Sequence, residues 1–277
     1  MKLKSRVLPR DFFIILAFLI FTYKVQITFL GTGTSQGVPI IACPCNVCAS
    51  ADSHDKRLRT SVLIEASNKT FVIDTGPDFR QQMLRENVKQ MDAIIFTHEH
   101  KDHTAGFDDI RAFNFVNKKK MEVYASALVQ EAIRREYPYI FHDSKYPGIP
   151  EINLHLIENK KFTIEGVDIL PIEVMHYKLP VFGFRIGDFS YITDANYISD
   201  LEKEKIKNSK VLVLNALRRE PHISHFTLQE AIDLVNELKP EKAYFTHISH
   251  QLGLHADVQK ELPENIEIAY DGLKITL

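Results

Sequence analysis

Apolar positions along the chain fall into short runs separated by Gly, Pro and Asn, and their spacing switches repeatedly between the strand and helix periods. Val25 to Leu30 and Ser61 to Glu65 read as strands by alternation or β-branched content, and Thr70 to Ile73 is a further run ending in Asp74-Thr75-Gly76. More strands are expected at Met121 to Tyr124, Val167 to Val174, Phe189 to Thr193, Val211 to Leu214 and Ala243 to Thr246. Pro77 is placed to open a helix through Phe79, Met83 and Leu84, and further helices are expected over Phe107 to Val116 and Ala127 to Tyr137. Between Thr227 and Leu238 the helix signal is fuller. Thr227-x-x-Glu230 is a capping box, Leu228, Ile232, Val235 and Leu238 form one apolar stripe, and Pro240 ends it. No internal repeat or low-complexity linker interrupts this alternation, which places the chain in the α/β class.

The first two dozen residues depart from the pattern. Lys2, Lys4, Arg6 and Arg10 precede the apolar run Phe12 to Phe21, as in a signal or anchor. The run is about half of the ~20 residues that a membrane-spanning helix needs, and no small-x-small cleavage site follows it. Three readings stand: a non-native leader from an upstream start codon, a weak membrane anchor, or an extra helix on the domain. The first is preferred, because the segment runs into the opening strand without a spacer. Residues 1–23 are therefore set apart as an N-terminal apolar extension, and 24–277 as one domain. Membrane contact is expected only if the extension is native.

With 277 residues, 45 % apolar and 25 % charged, the chain is long enough for one large domain with a full core. A net charge of −2 supplies no basic field of the kind that draws proteins onto nucleic acid. The local patch Lys118-Lys119-Lys120 reads as a solvated turn. All three cysteines lie in Cys43-x-Cys45-x-x-Cys48, which suits a metal clip better than a secreted disulfide framework. A reducing, cytoplasmic compartment follows as the expectation.

The chemistry concentrates in Thr97-His98-Glu99-His100-Lys101-Asp102-His103, immediately after the apolar run Ala93 to Phe96. Four metal-binding side chains on one turn, imidazoles and a carboxylate without a thiolate, suit Zn²⁺, Mn²⁺ or Fe and are dense enough to hold two ions. His176, Asp194 and His247 each stand where a predicted strand stops. Open α/β folds gather reactive groups beyond strand ends, so these residues are expected to converge on one cleft. Gly31-Thr32-Gly33 is a tight loop rather than a dinucleotide fingerprint, since no helix opens after it.

With His98, His100, Asp102, His103, His176, Asp194 and His247 in this arrangement, the chain resembles the metallo-β-lactamase-fold hydrolases. The resemblance implies a four-layer αββα sandwich over about Lys24 to Leu277. It places His98, His100 and His176 on one metal, Asp102, His103 and His247 on the other, and Asp194 between both. Asp74 looks like the aspartate that orients the metal-binding groups from behind. Within the superfamily, Leu30-Gly31-Thr32-Gly33-Thr34-Ser35-Gln36-Gly37-Val38-Pro39, the cysteine cluster and Thr246-His247-Ile248-Ser249-His250-Gln251 are similar to the cyclic phosphodiesterases of the PhnP type. By that resemblance Cys43, Cys45, Cys48 and His250 bind a structural Zn²⁺. The spacing alone reaches the three cysteines, with His54 and His255 also open as the fourth ligand.

The implied cofactors are two divalent ions, Mn²⁺ or Zn²⁺, in the reactive site and one structural Zn²⁺. Two cations about 3.5–4 Å apart share a water, lower its pKa and stabilise charge on a phosphoryl or acyl group, so a bridging hydroxide is the expected nucleophile. His225, just before the capped helix, corresponds to the proposed general acid of PhnP-like enzymes, with His222 a competitor for the role. Asp102 and His225 are thus the expected catalytic residues. Arg111 is either a phosphate clamp or half of a surface ion pair, and Tyr137 to Gly148 either a cleft wall or a plain connection. The expected activity is hydrolysis of a small phosphate diester, cyclic or open. A PqqB-like role in cofactor biosynthesis, an RNA-processing nuclease and a non-catalytic metal-binding protein are the alternatives. The expected partner is a small phosphate ester, and a homodimer is allowed.

Overall fold

The computed structural model describes residues 25–142 and 147–277, so the expectations placed on residues 1–23 and on positions 143–146 of the Tyr137 to Gly148 segment lie outside the described residues. One sheet holds β1 (Val25–Gly31), β2 (Ser61–Ala66), β3 (Lys69–Ile73), β4 (Ala93–Ile95), β5 (Met121–Ala125) and β6 (Ile152–Leu156) in that order, closed at the β1 edge by the last strand of the chain, β14 (Lys274–Thr276). The other holds β7 (Phe162–Ile164), β8 (Val167–His176), β9 (Leu179–Ile186), β10 (Phe189–Tyr191), β11 (Val211–Asn215), β12 (Lys242–Thr246) and β13 (Ile266–Ile268), again in chain order. Half of each sheet is antiparallel and half parallel: β3 to β6 in the first and β10 to β13 in the second run the same way. Parallel neighbours need crossovers, and helices supply them.

Strands buried on both faces lose the inside-outside alternation, and β11 buries all five of its residues. Its Val213 faces the other sheet in a core with Ile27, Phe71, Ile73, Phe184 and Tyr191. Leu212 and Leu214 face outward, onto Leu228, Ala231, Leu234 and Val235 of a helix, Leu228–Leu238. That helix carries the predicted capping box, with Thr227 and Glu230 each bonding the other's backbone N–H. On the outer face of the first sheet, Val72, Ile94 and Val123 meet Phe79, Met83, Phe113, Val129 and Ile133. These come from the helices Phe79–Arg85, Arg111–Asn117 and Ala127–Glu136. Three apolar layers separating helix, sheet, sheet and helix make the four-layer αββα sandwich. Among the described residues, no helix is long and apolar enough to cross a membrane.

Several elements escape the hydrophobic pattern. β9, which pairs with β8 along its length, contains Pro180 and Gly183. β6, β7, β13 and β14 are short or half-exposed. Phe107 to Val116 divides into one turn of 3₁₀ helix, Phe107–Ile110, followed by an α-helix, Arg111–Asn117.

The topology positions the site. β3 and β4 are parallel, and β8 runs parallel to β10 because both are antiparallel to β9. The C-terminal ends of β3 and β4 in one sheet and of β8, β10 and β12 in the other therefore open on one rim. Phe182 N–H donates to the carbonyl of Thr97 at 3.1 Å, tying the two sheets together there.

Candidate functional site

Asp74, Asp194 and His247 leave their strands in the left-handed backbone region, with φ of 65°, 54° and 56°. Non-glycine residues rarely adopt this region, and such strain is characteristic of sites where a sharp exit aims a side chain. The segment after β4 is folded under by a short helix, Lys101–Thr104, with His100 at its N-cap. Close backbone approach makes room for it: a Cβ on Gly76 would lie 2.1 Å from the Asp102 carbonyl oxygen.

Two donor sets result. His98, His100 and His176 form one, and Asp102, His103, Asp194 and His247 the other, the ligand atoms within each set lying within 4.8 Å of one another. The sets touch, since the His98 and His103 rings are 4.2 Å apart between centroids. All seven residues named from the sequence thus come together. His225 joins them: its Nε2 is 2.9 Å from Asp194 Oδ1, and with His176 and Asp194 it makes a third, overlapping set.

Whether the residues suit cations follows from their hydrogen bonds. Asp74, fully buried, accepts Thr97 N–H at 2.8 Å on Oδ1, and Thr97 Oγ1 at 2.7 Å and His103 Nδ1 at 2.7 Å on Oδ2. Thr97 has spent its only hydroxyl proton on that carboxylate, so it accepts from His98 Nδ1 at 2.9 Å. His98 Nε2 is then a bare lone pair, 3.1 Å from His100 Nδ1. His176 Nδ1 donates to the Ser224 carbonyl at 2.9 Å, which leaves its Nε2 bare as well. His103 Nε2 has no hydrogen-bond partner and faces Asp102 Oδ2 and Asp194 Oδ2, each at 3.2 Å. Lone pairs and carboxylate oxygens aimed at one another repel unless positive charge lies among them, so the donor set fits divalent cations.

The titration behaviour agrees. Burial lowers the pKa of His98 and His176, and pushes His247 down to about 3, keeping them in the neutral form that ligates metals. Burial opposes ionisation of Asp102 and Asp194, but His103 and His247 outweigh it and hold both well below the usual carboxylate range. For His103 burial also opposes a charge, and the carboxylates of Asp102, Asp194 and Asp74 overcome it, raising its pKa well above the ordinary histidine value. The position calls for positive charge, as a proton or as a metal ion.

The cysteines form a separate cluster. Cys43, Cys45 and Cys48 Sγ lie 3.3, 3.3 and 3.5 Å from His250 Nδ1. A tetrahedral zinc with Zn–S of about 2.3 Å and Zn–N of about 2.0 Å requires an S···N distance of about 3.5 Å. Backbone N–H groups of Cys48 and Ile40 point at Cys45 Sγ and Cys48 Sγ. The Cys48 N–H leads the effects that bring the Cys45 thiol down to about 6, whereas burial pushes Cys48 up to about 11. His54 and His255, the other candidates for the fourth ligand, instead stack on each other 4.8 Å apart beside Tyr270.

Thr97 escaped the sequence reading, although it precedes the histidine motif directly. So did the contacts of His222, whose Nδ1 is 3.0 Å from His225 Nδ1, with Ser224 Oγ 3.0 Å from the same atom. Arg111 pairs with Asp108 at 3.0 Å, the surface ion-pair arrangement.

Residues 69–248 match the family model of the β-lactamase superfamily domain. The octanoyltransferase of Porphyromonas gingivalis is 39 % identical over 248 residues, 88 % of this chain and 50 % of that protein. Exodeoxyribonuclease WalJ of Streptococcus pneumoniae is 27 % identical over 167 residues, 56 % of this chain and 57 % of that one. The chain therefore spans about half the length of the curated relatives it matches. Among solved structures, a diphosphatase from the PhnP family superposes with a TM-score of 0.87 at 38 % identity, covering 92 % of this chain and 97 % of that one.

Proposed function

Since the chain belongs to the β-lactamase superfamily, and within it to the PhnP family, we propose that it is a metal-dependent hydrolase of a small phosphate diester or diphosphate ester. The observation that carries this reading is the pair of adjoining donor sets, with Asp194 a member of the second and also grouped with His176 of the first. In this reading His98, His100 and His176 would hold one divalent ion and Asp102, His103 and His247 a second, with Asp194 available to either. Such a pair supplies an activated water and the positive charge that a phosphoryl group needs as it is attacked.

The chain's own residues do the rest. Asp74 fixes the His98 tautomer through Thr97 and the His103 tautomer directly, so that a nitrogen lone pair of each faces inward. The Ser224 carbonyl does the same for His176. His225 donates a proton to the departing ester oxygen, with the His222 and Ser224 side chains holding its Nδ1 and its Nε2 resting 2.9 Å from Asp194 Oδ1 until a substrate replaces that contact. Cys43, Cys45, Cys48 and His250 hold a structural zinc that anchors the loop after β1 to the loop after β12. The named activity of the P. gingivalis relative does not redirect this reading, because half of that protein lies outside the match.

The test is an assay of purified, Mn²⁺-loaded protein against bis(p-nitrophenyl) phosphate, a cyclic nucleotide, a cyclic ribose phosphate, a dinucleoside diphosphate and a short RNA. Turnover of a small ester and loss of it in Asp194→Ala support the proposal. Absence of hydrolysis of every phosphate ester in metal-replete protein overturns it. His225→Ala should slow turnover by about 10²–10⁴-fold with metal content unchanged, and less for the p-nitrophenolate leaving group, which needs little protonation.

A further inference from the structure

Beside His100 and His176 a groove of about 490 Å³ opens, lined further by Tyr177, Lys178, Leu179 and Ile223. This volume lies within the range of about 300–1,000 Å³ typical of small-molecule sites. Its apolar walls stay exposed, Tyr177 by 49 % and Ile223 by 64 %. Tyr177 occupies the tight connection between β8 and β9 with φ +58°, a conformation that glycine adopts freely and tyrosine does not. Strain of this kind persists only where the surroundings enforce it. Here Tyr177 N–H donates to Asn196 Oδ1 at 2.6 Å, and Met175 and Tyr197 bridge behind the turn. Lys178 brings a cation to the same rim, with Nζ 5.3 Å from the Tyr177 ring centre.

An exposed aromatic ring with a cation over one face and the other face left for a ligand, continuous with two candidate metal ligands, complements a ligand that joins a flat ring to phosphates. We infer that this groove receives the nucleobase of a nucleotide-containing substrate. Tyr177 is the stacking face, Ile223 an apolar wall, and Lys178 the partner of a phosphate other than the one cleaved. The inference rests on the phosphate-ester reading of the metal centre and narrows its substrates to nucleotides, as against bare sugar phosphates or alkyl phosphates.

Titration calorimetry with adenosine 5′-monophosphate, ribose 5-phosphate and octyl phosphate tests it without requiring turnover. The nucleotide is expected to bind about tenfold more tightly than ribose 5-phosphate, the scale of one base-aromatic stack. Tyr177→Gly, which suits the backbone and should fold at least as well, is expected to reduce that preference below about twofold, and Tyr177→Phe to retain it. Equal binding of the two in the unaltered protein, a preference that survives Tyr177→Gly, or tighter binding of octyl phosphate than of the nucleotide would each overturn the inference. A base preference in binding without hydrolysis of any ester would count against the proposed reaction and leave the groove assignment standing. Hydrolysis without a base preference would do the reverse.

Discussion

Thr97→Val replaces a hydroxyl by a methyl of nearly the same shape at a position that is 1 % exposed. Two hydrogen bonds disappear, the 2.7 Å donation to Asp74 and the 2.9 Å acceptance from His98. The first goes to a buried carboxylate and is worth about 1.5–3 kcal/mol, and leaving the His98 N–H without a partner costs about 1–3 kcal/mol more. Because Asp74 keeps Thr97 N–H and His103 as donors, the loss should fall near the lower end of the sum, about 3 kcal/mol. The freed imidazole can also turn or change tautomer, so metal affinity should drop by about 10- to 100-fold, as when other supporting partners of metal ligands are removed. Urea denaturation of chelator-treated protein measures the first effect, and competition for Mn²⁺ or Zn²⁺ with a coloured chelator measures the second. Thr97→Ser, which keeps the hydroxyl, should restore most of both. If Thr97→Val unfolds within about 0.5 kcal/mol of the unaltered protein and binds metal as tightly, Thr97 is not the relay that sets the His98 tautomer.

Gly76→Ala would place a methyl 2.1 Å from the Asp102 carbonyl oxygen, and should destabilise the protein by about 1–3 kcal/mol and lower metal content, measured by denaturation and elemental analysis. Cys48→Ser should remove about one zinc per chain, given a Cys₃His site without a spare ligand, and increase protease cleavage between residues 40 and 59 while the Asp194 cluster still binds metal. His255 has its pKa lowered to about 4, first by burial and then by Arg57. A histidine whose folded pKa is depressed stabilises above its unfolded value of about 6.5 and loses that contribution as pH falls towards the folded one. Between pH 7 and pH 5 the loss is about 2 kcal/mol before solvent screening and about half of that after it, so His255→Gln should lose correspondingly less stability than the unaltered protein in paired denaturation curves.

The hydrophobic pattern revealed strands whose side chains settle the question locally. β3 and β11 carry short unbroken apolar runs, Phe71 to Ile73 and Val211 to Leu214, and the helix over Leu228–Leu238 carries its own start and stop signals. β9 was hidden because its place is set by a partner: Pro180 and Gly183 disfavour a strand, and only pairing with β8 and β10 holds them in one. The edge strands β7 and β14 are three residues each, too short to show a period of their own. Where tertiary pairing overrides local preference, a pattern within one segment carries no signal.

The site divides along the same line. Its ligands were legible because metal binding demands particular atoms, and few residue types supply them. Of the groups that orient those ligands, Asp74 was named through the family resemblance, whereas the Thr97 hydroxyl and the Ser224 carbonyl were not, because many residue types can supply such a partner and a backbone carbonyl leaves no mark in the sequence. Left-handed backbone at Asp74, Tyr177, Asp194 and His247 violates the local rule for those residue types at four strand exits that serve this one rim. A sequence specifies a fold most clearly where its levels agree, and strained exceptions concentrate where function competes with that agreement. Among the described residues eight other non-glycine positions share this backbone, Ser67, Asn68 and Glu165 in hairpin turns among them, so the positive φ of Tyr177 belongs first to the two-residue turn between β8 and β9. That turn fixes where the Tyr177 ring stands, and the ring lines the open groove beside His100 and His176.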